Sequence, residues 1–241
     1  CLCYRPLSSP AAVSGLPALK NGYVTFGAFH DHLKLNASVL TQWARIMNAV
    51  GNARLIIKCG AVRDEGLRDR LLKACGAVGL DLDRIEIVGW LPHSQHLSLY
   101  DRVDLMLDAF PFNGAIMTLE GLWMGVPTIS LTGDLWLART GHLILSQVGL
   151  EAFVADTPEA YVEKAISFSQ QWDALAQIRA GLRQTMLTSS LCNAHRFASE
   201  MTEAFRYMWY RWCSSQGAQV PHEEPKGLFV DSWPRQFGQD V

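Results

Sequence analysis

No apolar run in this 241-residue chain approaches the roughly 18 residues that a membrane-crossing helix needs. No secretory leader pattern opens it. Basic blocks are also missing, and the formal net charge is -2, which argues against nucleic acid as the main partner. Six cysteines are scattered without a C-x-x-C pair, so they are read as reduced thiols of a cytoplasmic protein. The sequence holds no G-x-G-x-x-G fingerprint and no G-x-x-x-x-G-K-[ST] loop, which disfavours plain dinucleotide enzymes and P-loop ATPases. It holds no G-x-S-x-G elbow, so a hydrolase of that kind has no nucleophile. Internal repeats are absent. The chain opens on Cys1 rather than Met and is read as a piece of a longer protein. What is present is 49% hydrophobic residues, ample for a sizeable core.

The stretch from Leu105 to Ser130 carries the most information. An apolar run at Val103 to Leu107, bounded by charge, predicts a buried parallel strand. Pro111, Asn113 and Gly114 predict a loop. A helix follows from about Ala115 to Met124, stopped by Gly125 with Pro127 just beyond. Strands are expected at Tyr23–Gly27, Arg54–Lys58, Ile85–Val88, Thr128–Leu131 and Ala152–Ala155. Between them, helices are expected over Leu33–Val50 with Asn36 or Ser38 as cap, Asp64–Val78, Ser94–Tyr100 and Ala138–Gln147. Thr157, Pro158 and Glu159 form a helix start, and helices cover 158–169, 172–187 and 194–214. Residues 1–21 read as an irregular linker and 217–241 as a loose polar tail. The alternation implies an α/β fold: a Rossmann-like, doubly wound, mainly parallel sheet with C-terminal helices. Ligands in such sheets bind beyond the carboxyl ends of the strands.

Candidate residues stand at those ends. Lys34 follows the first strand and can neutralise phosphate as a point charge, or be a solvated surface lysine. His30 and His32 are two apart, but no third metal ligand is evident. His93 and His96 flank a helix start after the third strand and can stack on a base or hydrogen-bond to it, or simply cap and pack. Asn113 and Gly114 let a backbone approach a ligand. Glu120 can accept ribose hydroxyls or lie on a solvated face. Arg139, after the fifth strand, can meet a phosphate or sit on the surface. The aromatics Phe205, Tyr207, Trp209, Tyr210 and Trp212 are read as packing.

Several stretches together resemble a known family. They are YVTFGAF at Tyr23–Phe29 with Lys34, WARI at Trp43–Ile46, LDAFPFNG at Leu107–Gly114 and LWMGVP at Leu122–Pro127. SLC at Ser190–Cys192 and MWYRWC at Met208–Cys213 follow more weakly. The chain resembles the C-terminal catalytic lobe of the O-linked N-acetylglucosamine transferase and SPINDLY family over about residues 20–215. The resemblance implies one lobe of a GT-B glycosyltransferase, spanning 22–216, that holds a UDP or GDP sugar without a metal. It implies transfer to Ser or Thr of protein acceptors through an N-terminal lobe and tetratricopeptide repeats that this chain does not contain. By position, Lys34 matches the lysine on the diphosphate, His93 and His96 match the base-holding segment, and Glu120 matches the acid on the ribose. The helix start at Ala115, Ile116, Met117 and Thr118 matches the diphosphate cradle.

Two residues depart from that pattern. Family members usually carry a Thr-Thr pair where this chain has Ile116 and Met117, so hydroxyl donors are lost while backbone N–H groups remain. Asp31 stands where many members carry an amide, and its carboxylate would repel a diphosphate. Two further readings therefore stay open. One is a non-catalytic nucleotide-binding or scaffold remnant. The other is an unrelated Rossmann-like enzyme.

Overall fold

The computed structural model describes residues 2–6 and 12–216. The expected tail, 217–241, lies outside them. The described residues divide into two compact units, one within Tyr4–Cys192 and a second containing residues 2–3 and 193–216.

The first unit is built on six short strands: β1 (Thr25–Phe29), β2 (Arg54–Lys58), β3 (Ile85–Val88), β4 (Leu105–Leu107), β5 (Thr128–Leu131) and β6 (Val154–Ala155). They lie in the order β3-β2-β1-β4-β5-β6, and every pairing is parallel. The order reverses between β1 and β4, which opens a crevice beyond their carboxyl ends. β1, β4 and β5 are buried along their whole length, as strands covered on both faces must be.

The helices are α1 (Pro17–Asn21), α2 (Ala37–Ala49), α3 (Glu65–Ala77), α4 (His93–Leu99), α5 (Ile116–Trp123), α6 (Thr140–Ser146), α7 (Pro158–Ser169) and α8 (Trp172–Thr188). Their starts follow local chemistry. Asn36 Oδ1 accepts the Val39 N–H at 3.0 Å, Asp64 Oδ1 accepts that of Leu67 at 2.8 Å, and Thr157 Oγ1 accepts that of Ala160 at 3.1 Å. Each satisfies an amide that the first turn leaves open. Gly125, at φ +81°, ends the turn after α5 in a conformation that side-chain-bearing residues rarely adopt. Val39, Leu40, Trp43, Ile46 and Met47 of α2 are buried on one face. Trp43 Nε1 donates to Tyr161 Oη on α7 at 3.1 Å.

Three expectations need correction. Residues 1–21 are not wholly linker. Pro17 starts α1, Gly22 in the left-handed region closes it, Leu16 and Ala18 are buried, and the Ala18 N–H donates to Asp104 Oδ1 at 2.8 Å. The first strand starts two residues later than expected, because Asp104 Oδ2 accepts the Thr25 N–H at 2.8 Å and pairing with β2 runs on to Phe29↔Lys58. Leu33 does not open a long helix. It sits in a 3-10 turn, His32–Lys34, and α2 begins behind the Asn36 cap.

The second unit contains α9 (Ala194–Ser215). Its Phe205, Met208, Trp209 and Trp212 are exposed, and Trp209 and Trp212 stack on each other at 5.1 Å. Among the described residues, no helix is long and apolar enough to cross a membrane.

Candidate nucleotide-sugar site

The crevice beyond β1 and β4 is organised by Asp108, an acid within the LDAFPFNG stretch that had no role assigned from sequence. Asp108 follows β4 directly and is 1% exposed. Its Oδ1 accepts N–H bonds from Ala109 at 2.9 Å and Gly114 at 2.6 Å, and its Oδ2 accepts the Ser130 hydroxyl at 2.7 Å. Burial pushes its carboxyl up to about 7, against the pull of those donors and of Lys34. The local signal was only an acid closing an apolar run.

Asn113 completes the loop. Its Nδ2 donates to Ala109 O at 3.0 Å and Leu131 O at 3.1 Å, and its Oδ1 accepts the Gly141 N–H at 3.3 Å. A Cβ on Gly114 would lie 2.9 Å from Thr118 Oγ1 and 3.2 Å from Asp108 Oδ1. That closeness is why glycine stands there. α5 then begins at Ile116 behind Ala115, which offers no capping side chain. The first-turn amides and the positive end of the helix dipole therefore remain available to an anion.

Lys34 reaches the same place from the loop after β1. Its Nζ donates to Asn113 O at 2.8 Å and lies 3.7 Å over the Phe112 ring. Burial lowers its pKa, which Asp108 and Asp31 partly offset. Asn36 Nδ2 ties the two loops together by donating to Phe110 O at 3.0 Å. The exposed Asp31 has a local duty: it caps the 3-10 turn by accepting the Leu33 N–H at 3.0 Å and pairs with His32 at 3.1 Å.

His93, His96 and Glu120 form one cluster. Glu120 Oε1 lies 2.7 Å from His93 Nε2, and Oε2 lies 2.9 Å from His96 Nε2. Glu120 is buried at 5% exposure, so it is no solvated helix face. Burial alone would raise its carboxyl, but the bonds from His96 and His93 outweigh that and hold it below the ordinary range. Both its oxygens already have partners on α4, where the sequence reading gave it the ribose by itself. His96 Nδ1 is buried without a partner.

Other candidates stand apart. Ile116 is 61% exposed and Met117 is half-buried, its carbonyl accepting from Tyr100 Oη at 2.9 Å. Thr118 is buried. Arg139 lies on the loop after β5, next to Asn113 through the Asn113 N–H to Leu137 O bond. Its Nε donates to Gly133 O at 2.9 Å. His30 and His32 do not converge. His30 is buried, with Nε2 2.9 Å from Leu107 O, and burial lowers its pKa to about 4. Among the described residues, no group of three or more His, Cys, Asp or Glu is placed to hold a metal.

Comparison with known proteins agrees with this geometry. The sequence model of Glycosyl transferase family 41 matches residues 12–201. A probable UDP-N-acetylglucosamine–peptide N-acetylglucosaminyltransferase SPINDLY of Petunia hybrida is 38% identical over 213 residues, covering 88% of this chain and 23% of that protein. Its counterpart in Arabidopsis thaliana is 36% identical over 216 residues, covering 89% and 24%. This chain thus spans about a quarter of these relatives' length. A structure of a point mutant of Thermobaculum terrenum O-GlcNAc transferase superposes with TM-score 0.80 at 30% identity, covering 89% of this chain and 40% of that one. The C-terminal domain of a group 1 glycosyl transferase (LpcC) from Francisella tularensis shares the fold, at TM-score 0.53 and 11% identity over 74% of this chain and 93% of its own. The strand order, the loop architecture and the matched region agree, and the chain belongs to glycosyl transferase family 41 as a Rossmann-like C-terminal lobe of the GT-B type.

Proposed function

We propose that this chain is the donor-binding part of a protein O-glycosyltransferase, holding a UDP or GDP sugar for transfer to Ser or Thr of protein acceptors. The observation that carries the reading is the convergence of Lys34 on Asn113 O at 2.8 Å, beside the uncapped start of α5. A cation and open amides meet there, and among the described residues no side chain caps the helix. In this reading Lys34 and the amides of 115–118 stabilise the diphosphate leaving group as its charge grows. They supply positive charge that a divalent cation would otherwise bring, so donor binding needs no metal. His96 and His93 hold the base side, and Glu120, oriented by both, faces the ribose. Each Glu120 oxygen keeps a second lone pair for a hydroxyl. Transfer itself draws on the N-terminal lobe and the repeats implied for the longer relatives.

A second reading, a nucleotide-binding remnant, has one observation in its favour. Ile116 projects an exposed aliphatic side chain from the helix start where the family pattern has a hydroxyl. A hydrogen bond to a charged group contributes about 1.5–3 kcal/mol, so two lost hydroxyls weaken binding by about tens to hundreds of fold.

Calorimetric titration with UDP and GDP separates the readings. The native chain is expected to bind one of them saturably, Lys34→Met to bind it about 10- to 100-fold more weakly, and the double change Ile116→Thr, Met117→Thr to bind it more tightly. Binding only by the double variant would make the remnant reading correct. Undiminished binding by Lys34→Met would remove Lys34 from the site.

A further inference from the structure

Lys58 closes β2 at the carboxyl edge of the sheet, and nothing in the reading above uses it. Its carbonyl is fixed by the His30 N–H at 3.0 Å. Its register partners are Phe29 on one side and Val88 on the other. In parallel strands, residues in register project from the same face of the sheet. On that face Phe29 packs 5.7 Å from the His96 ring and 4.8 Å from that of Tyr100, so Lys58 rises beside α4 and the histidine–glutamate cluster. The side chain is half-buried, yet among the described residues its ammonium makes no hydrogen bond or ion pair. Glu120 acts on its charge across space, and burial lowers its pKa all the same. Glu120 itself has both oxygens occupied by His93 and His96. A desolvated cation left without an acceptor is costly, and Nδ1 of His96 on the neighbouring α4, without a hydrogen-bond partner among the described residues, is a second unmet polar atom.

We propose that Lys58 is a base-reading residue: its ammonium donates to a carbonyl oxygen of the donor's nucleobase, so that the site selects oxo-bases, uracil or guanine, over adenine. The inference rests on the nucleotide-sugar reading above. An ammonium has three donors and no acceptor. Uracil and guanine offer it a carbonyl oxygen. Adenine has none, and presents an exocyclic amine that is itself a donor.

The test is titration of the chain with UDP, GDP and ADP, using the native protein, Lys58→Met and Lys58→Arg, with thermal unfolding of each recorded alongside. The native chain is expected to prefer UDP or GDP to ADP by about 10- to 100-fold. Lys58→Met should lose about tenfold or more on the preferred nucleotide and almost nothing on ADP, while Lys58→Arg should keep the preference. A Lys58→Met variant that binds all three like the native chain overturns the inference. Equal weakening on all three also overturns it and moves Lys58 to the phosphates. In both cases the nucleotide reading survives through its dependence on Lys34. If the native chain binds none of the three, the reading and the inference fall together.

Discussion

Replacing Arg179 by methionine is expected to lower the free energy of unfolding by about 2–6 kcal/mol, from about 1–3 for each buried carbonyl left unsatisfied. Arg179 lies on α8 and is 1% exposed. Its Nε donates to Ser14 O at 2.8 Å and one terminal nitrogen donates to Val103 O at 2.7 Å. The other terminal nitrogen donates to Ser14 Oγ at 2.8 Å and Tyr100 O at 3.0 Å. One guanidinium thus joins the N-terminal segment, the turn before β4 and α8. Burial lowers its pKa, and Asp104 and Asp101 offset part of that. Methionine keeps much of the stem's volume but removes every donor, leaving the buried carbonyls of Tyr100 and Val103 without their partner. Lysine offers donors on a single nitrogen and cannot reproduce the planar fork, so Arg179→Lys should recover only part of the loss. Urea unfolding at equal m-value measures both. A loss under about 1 kcal/mol would mean that water replaces the four bonds.

The Arg179 contacts explain why the N-terminal segment misled. Its Pro, Ser and Gly content is that of a linker, and nothing nearby in sequence announces that Ser14 is held by a residue 165 positions away. By contrast, β2, β3 and β5 match expectation to the residue, because each is a short apolar run with charge or a turn at its ends. β1 shifted because its start is set by Asp104, 79 positions away. The site divides in the same way. Lys34, Asn113 and Gly114 are legible because strand–loop–helix order brings them to one sheet edge. The pairing of Glu120 with His93 and His96 bridges 27 and 24 positions and belongs to no local pattern. Asp108 is harder still: a lone acid after an apolar run reads as a strand boundary. Only the three donors that converge on it reveal that it shapes the loop.

Asp108 and His30 are expected to tilt the pH dependence of stability in opposite directions. Asp108 holds its proton in the folded chain up to about pH 7, whereas its ordinary value is 3.8. Between those values the folded state binds more protons than the unfolded one, so this group's contribution falls as pH rises. His30 releases its proton near pH 4 in the fold, against 6.5 ordinarily. There the unfolded state binds more protons, and stability rises with pH. At about 1.4 kcal/mol per unit, the two amount to about 4 and about 3 kcal/mol. They nearly cancel from about pH 4 to 6.5, leaving the Asp108 fall to finish near pH 7. Asp108→Asn removes the fall with little change in shape: its Oδ1 can still accept from Ala109 and Gly114, and its Nδ2 can donate to Ser130, whose hydroxyl reverses role. That variant's stability should climb with pH over the window. His30→Gln, whose amide can still donate to Leu107 O, should instead decline toward pH 7. Both groups border one cradle, since a Cβ on Gly114 would lie 3.2 Å from Asp108 Oδ1 and 3.6 Å from His30 Cε1. Denaturant unfolding at half-unit pH steps reads both slopes. If Asp108→Asn leaves the profile as it was, Lys34 already holds that carboxylate ionised at little cost. If the double variant is flat while each single one tilts, the cancellation belongs to this pair and no other titrating group is needed to explain it.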